Sequence, residues 1–165
     1  MIDLPYRANV GIALFNAAGL VLIAKRLRNS GPEVIYPGHE WQMPQGGVDP
    51  NEDPREAAQR ELHEETGVRD AAYLGETREW ISYDFPPYGG PPHRLSAFRG
   101  QRQKWFAFRF LGDDSEIVVA DVRNDQVPEF DAWRWERLKR APELVVPFRR
   151  TVYAQVASEF ARFAG

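Results

Sequence analysis

The chain of 165 residues contains no cysteine. Disulfides, thiolate zinc sites and cysteine nucleophiles are therefore excluded, and the composition is one expected of a protein in the reducing cytoplasm. No apolar run approaches the ~18–20 residues that a membrane-spanning helix needs, so no membrane partner is expected. The start, Met1 to Arg7, has neither a basic stretch nor a long apolar one and does not read as a secretory signal. A basic excess is missing as well. The formal net charge is −3, so a polyanionic ligand would have to be met by local groups or bound cations rather than by a general positive field. Repeats, low-complexity tracts and linkers are absent from the sequence. Hydrophobic residues make up 43%, enough for one core, and the length suits a single domain over residues 1–165.

Residues 9–15 form an apolar run of strand length, 16–19 (Asn16, Ala17, Ala18, Gly19) a turn, and 20–26 a second strand, which predicts a hairpin. Residues 28–40 carry loop punctuation throughout. A helix is predicted over 54–66. Asp53 can cap it, Pro54 suits the first position because its missing N–H has no helical partner there, and Gly67 supplies a left-handed stop. Further strands are expected near 78–84, 104–111 and 130–137, a long loop over 85–103, and a C-terminal helix over 147–163 with Val152, Val156, Phe160 and Phe163 on one core-facing stripe. Strands interleaved with two helices predict an α/β domain, with helices on both faces of a mixed sheet.

The predicted helix carries Arg60-Glu61-Leu62-His63-Glu64-Glu65. Residues three and four apart share a face, so the three glutamates cluster and repel one another by ~0.2–0.5 kcal/mol per pair. Something cationic would relieve them. Hard divalent ions such as Mg²⁺ take carboxylate oxygens, keep waters and bridge to substrate phosphates. Taken alone, such a run reads as a solvated acidic face. The preceding Gln45-Gly46-Gly47 changes that balance, because adjacent glycines let a backbone approach a phosphate or offer a carbonyl to a metal.

Together these pieces run Gly46, five residues, Glu52, seven residues, Arg60-Glu61-Leu62, one residue, Glu64-Glu65, one residue, Gly67-Val68. The pattern resembles the complete Nudix box, G-x5-E-x7-R-E-U-x-E-E-x-G-U with U a bulky aliphatic residue, at every specified position. The segments around Tyr6-Arg7, Trp41-Gln42-Met43-Pro44, Gln103-Lys104-Trp105, Pro128-Glu129-Phe130 and Val145-Val146-Pro147-Phe148-Arg149 resemble one Nudix group, the bacterial RNA pyrophosphohydrolases and dinucleoside polyphosphate hydrolases.

The resemblance implies an α/β/α sandwich with a central mixed β-sheet flanked by helices, and hydrolysis of a pyrophosphate bond with Mg²⁺, Mn²⁺ being a substitute. It implies Glu61 and Glu65 as main metal ligands, Glu64 assisting, and the Gly46 carbonyl completing the set. Arg60 would orient the glutamates and Glu52 would tie loop to helix. Glu129, outside the box, would be a further metal ligand or a water-activating base. Arg7 looks like the phosphate-contacting arginine, Arg26 and Arg149 like groups that meet the nucleotide, and Val146 and Phe148 like the lining of a base pocket. Tyr83 is a further candidate contact.

The flanking segments favour a triphosphorylated RNA 5′ end as substrate, with a diadenosine polyphosphate as the alternative. A domain that only binds nucleotides is a third reading, against which every carboxylate of the box is present. The segment Glu33–His39 lengthens the loop before Trp41 relative to that group, and the sequence leaves open whether it reaches the rim of the site.

Overall fold

The computed structural model describes residues 3–120 and 129–165. Eight strands form one sheet: β1 (Tyr6–Phe15), β2 (Val21–Arg26), β3 (Trp41–Gln42), β4 (Gln45–Gly47), β5 (Ala71–Glu76), β6 (Ile81–Asp84), β7 (Gly100–Phe110) and β8 (Phe130–Glu136). The helices are α1 (Pro54–Thr66), the single turn α2 (Ala141–Leu144) and α3 (Arg150–Phe160). β1 and β7 run parallel in the middle of the sheet, in register from Tyr6↔Gly100 to Phe15↔Arg109. The other pairings are antiparallel, so the sheet is mixed.

Alternation along the two central strands creates two cores. Val10, Ile12, Leu14, Phe106 and Phe108 face Ala57, Ala58 and Leu62 of α1. Ala13, Phe15, Trp105 and Ala107 face Val152, Tyr153, Val156 and Phe160 of α3. Burial of each large apolar side chain stabilises the sandwich by about 1.5–3 kcal/mol, and both faces of the sheet are covered.

Both central strands change partner along their length, and this positions the site. The C-terminal end of β1 meets β2 at Phe15↔Val21, whereas its Asn9–Gly11 stretch meets β4. β7 pairs with β6 over Gly100–Gln103 and with β5 from Phe106 onward. The expected loop over 85–103 is therefore too long. Gly100–Gln103 belongs to β7, whose parallel partner β1 supplies a ladder that Gly and Arg content alone conceals. Helix α1 has the predicted ends. The Asp53 carboxylate accepts from the Arg55 and Glu56 amides, and Gly67, at φ 77°, donates its N–H to His63 O. The C-terminal helix is regular only over Arg150–Phe160, with 3₁₀ turns at Pro147–Arg149 and Ala161–Phe163.

Candidate active site

Helix α1 lays its acidic stripe against the short strand β4. A side chain at Gly46 would collide with the Glu61 carboxyl, and one at Gly47 with the Arg7 guanidinium. Two bare backbone positions thus let a carboxylate and a cation close in on adjacent residues. The Gln45 amide donates to Glu65 Oε2 at 3.3 Å. β4 is held from beneath by a buried amide network, in which Trp105 Nε1 donates to Gln103 Oε1 while Gln103 Nε2 donates to Asn9 Oδ1 and Gln45 Oε1.

Arg60 ties this face together. Its Nε and Nη2 grip both oxygens of Glu52 at 2.9 Å, Nη2 donates to Gly47 O, and Nη1 reaches Glu61 Oε1 at 2.8 Å and Glu64 Oε2 at 3.3 Å. The forked grip and the Asp49 amide hold the Glu52 carboxyl down at about 2. Glu61 responds in the opposite direction. Burial pushes it up to about 7, and Arg60 offsets only part of that push. Glu65 is also raised, by burial first and then by Glu129 and Glu61, with no cation of its own among its hydrogen-bond partners. Packing raises Glu129 too, against the pull of Arg26, Arg149 and Arg94.

Glu61, Glu65 and Glu129 line a cavity of about 170 Å³. Its wall carries Glu33, Glu61, Glu65 and Glu129, and opposite them in charge Arg7, Arg26, Arg94 and Arg149. Its mixed lining of carboxylates and guanidiniums suits phosphoryl oxygens together with their counter-ions.

Among the described residues, no three acidic, histidine or cysteine side chains already stand close enough together to hold a metal ion. A divalent cation still fits. Magnesium needs only one or two carboxylates beside waters and phosphates. Glu61 and Glu65 are raised acids beside the half-buried strand β4, and a bound cation would relieve both. Glu64 stands further out, at 55% side-chain exposure, and bonds Arg60.

The nominated substrate residues divide. Arg7, Arg26 and Arg149 line the cavity. Tyr83 is buried behind its wall, bonded to Glu33. Val146 is in the α3-side core, and Phe148 packs against it, between the rings of Tyr36 and Tyr83. Three further residues that the sequence reading did not nominate line the cavity. Glu33 and Arg94 come from punctuated loops, Arg94 in a 3₁₀ turn capped by His93. Gln101 lies where a loop was expected and accepts from Arg7 Nη1 at 3.0 Å. Its alternation with buried Gln103 and Trp105 was the one available signal.

A family model for the NUDIX domain matches residues 5–156. A relative from Afipia carboxidovorans called RNA pyrophosphohydrolase is 54% identical, over 99% of this chain and 96% of its own. One of the same name from Acidiphilium cryptum is 50% identical, over 98% and 93%. Among solved structures, a Caenorhabditis elegans Ap4A hydrolase complex superposes with a TM-score of 0.59 at 20% identity, covering 94% of this chain and 98% of that one. A MutT protein from Methanosarcina mazei Go1 gives 0.57 at 22% identity, covering 96% and 98%. Those two likenesses concern the fold. The chain belongs to the NUDIX family.

Proposed function

We propose that this protein is a cytoplasmic, single-domain RNA 5′-pyrophosphohydrolase, releasing pyrophosphate from triphosphorylated RNA by water attack on phosphorus. The observation that carries the chemistry is the pair of adjacent glycines, with Glu61 against Gly46 and Arg7 against Gly47. Anion-binding and cation-binding groups thereby flank one strip of backbone, as a polyphosphate paired with a divalent ion requires. The choice of RNA rests on the relatives of 50–54% identity that bear that name.

In this reading Glu61 and Glu65, assisted by Glu64, Glu129 and the Gly46 carbonyl, hold Mg²⁺ or Mn²⁺. When bound, such an ion polarises phosphoryl oxygens and neutralises charge on the leaving group. Arg7 and Arg94 draw the phosphate chain into the cavity, and Gln101 fixes the Arg7 guanidinium. Arg60 keeps Glu61 aimed while Glu52 anchors Arg60 to the loop. A carboxyl whose burial raises its proton affinity takes a proton from an attacking water at less cost than a free carboxylate, and Glu129 and Glu65 are the candidates. The nucleotide lies at the mouth of the cavity, near Tyr36 and Phe148, where aromatic rings suit a base.

The test compares turnover of a 5′-triphosphorylated RNA oligomer and of diadenosine tetraphosphate with Mg²⁺, using Glu61→Gln and Glu65→Gln as controls. Much faster pyrophosphate release from RNA, lost in both variants, is expected. Preference for the dinucleotide would replace RNA as the main substrate. No turnover of either would leave only a nucleotide-binding domain.

A further inference from the structure

The lengthened loop before Trp41 contributes a carboxylate to the cavity. Glu33 is only 3% exposed. Its Oε1 accepts from Tyr83 Oη at 2.5 Å and Gln101 Nε2 at 2.8 Å, and its Oε2 accepts from Arg149 Nη2 at 2.6 Å. Its own backbone is pinned: the Glu33 amide and carbonyl pair with Ser30, and the carbonyl also accepts from Arg26 Nη2 at 2.7 Å. Burial pushes the Glu33 carboxyl up, but Arg149, the Tyr83 hydroxyl and Arg26 outweigh it and keep the group ionised.

A guanidinium, a phenol and a primary amide converging on two oxygens form a cradle that would hold a phosphoryl group equally well. The two arginines behind it are nearly inaccessible, Arg149 at 1% and Arg26 at 4% exposure, and each depends on Glu33 for compensation. Arg26 Nε and Nη1 and Arg149 Nε have no partner among the described residues. Cation capacity therefore exceeds what the protein itself uses.

We propose that Glu33 is a built-in anion that fills an oxyanion cradle made by Arg149, Tyr83 and Gln101, and so acts as a specificity-determining positioning residue that confines substrate phosphoryl groups to the Arg7 side of the cavity. This rests on reading the cavity as a polyphosphate site. With the cradle occupied internally, a phosphate chain has one productive seat, next to Gly46 and Gly47. With the cradle vacant, two buried guanidiniums would compete for the same chain.

The Glu33→Gln variant removes the charge, leaving in the cradle only a neutral side chain that an anion can displace from Arg149. Binding of inorganic pyrophosphate is measured by calorimetry and by thermal melting, in EDTA so that no metal takes part. The variant should melt below wild type, recover on adding pyrophosphate, and bind it about tenfold more tightly than wild type, as expected when a buried cation gains an anionic partner. A Glu33→Gln/Arg149→Gln double variant should lose that gain. A purely structural Glu33 would lower the melting temperature without creating any response to pyrophosphate. Equal affinity in wild type and Glu33→Gln, or a gain that survives in the double variant, would overturn the proposal. Should Glu33→Gln not fold, Glu33→Asp, which keeps the charge but draws it back from Arg149, must show a partial gain; none would equally overturn it. Because no turnover is read, failure to hydrolyse RNA would remove the substrate reading and leave this result standing.

Discussion

Two of the four carboxylates lining the cavity are treated in opposite ways. Glu33 is matched by a guanidinium, a phenol and an amide, and its charge is stabilised despite burial. Glu65 is half-buried, with one backbone amide as its donor and two other glutamates nearby, and its charge is penalised. The contrast separates a carboxylate whose charge the protein itself neutralises from one whose charge it leaves uncompensated. On the proposed reading a bound cation would supply that compensation at Glu65.

The largest effect that would break this contrast is loss of stability at the neutralised carboxylate. Arg149→Met leaves Glu33 buried without its ion, and should cost about 3–5 kcal/mol in urea denaturation. A cost below ~1 kcal/mol would mean that Tyr83 and Gln101 suffice. At the uncompensated carboxylate the same kind of deletion should run the other way. Glu65→Gln removes a desolvated charge, so the metal-free protein should melt higher than wild type. Turnover should meanwhile fall at least about a hundredfold, beyond the 10–100-fold typical of residues that only support a metal ligand. Lower melting together with lost turnover would make Glu65 structural.

The pH dependence sharpens the comparison further. Glu61 has a folded-state value of about 7, raised from 4.5, so its contribution to stability is fully present below about 4.5 and is lost as pH climbs to about 7. Glu33 is lowered, so its contribution is present above the ordinary carboxylate range and lost on acidification. Melting of the metal-free protein should therefore weaken between pH 4.5 and 7, and Glu61→Gln should flatten that slope. Affinity for Mn²⁺, followed by electron paramagnetic resonance, should rise over the same interval as protons leave Glu61; a pH-independent affinity would exclude Glu61 as a ligand. The smallest effect lies away from the cavity. Asp53→Ala removes the cap of α1 and should cost about 1 kcal/mol, with kcat/KM unchanged.

Helix α1 was legible because every signal for it is local: the Asp53 cap, the proline after it, the glycine stop, and a glutamate spacing that places three acids on one face. The two-glycine strand was legible as chemistry though not as a strand, since β4 has three residues and exists only because β1 pairs with it. The family resemblance predicted a mixed sheet between helices, as observed. What local pattern could not show depends on distant partners. The start of β7 at Gly100 is set by Tyr6, and the role of Glu33 by Arg149, 116 positions along the chain. The burial of Tyr83, Val146 and Phe148, nominated as substrate contacts, is likewise set by distant partners. Tyr83 and Val146 are interior, and Phe148 is partly covered by Tyr36 of the lengthened loop.

The parallel pairing of β1 with β7 also sets when, during synthesis, the site can exist. Once a growing chain has emerged as far as Gly67, the acidic helix can form, yet Arg7 still lacks Gln101 and β4 still lacks the Gln103 amide beneath it. Arg149 arrives later still. At ~5–20 residues per second of translation, the acidic helix precedes Gln101 and Arg149 by several seconds. A ribosome-bound nascent chain is thus an incomplete enzyme until its final helix emerges, and a message cut short before that point yields a chain carrying the whole Nudix box without a working cavity.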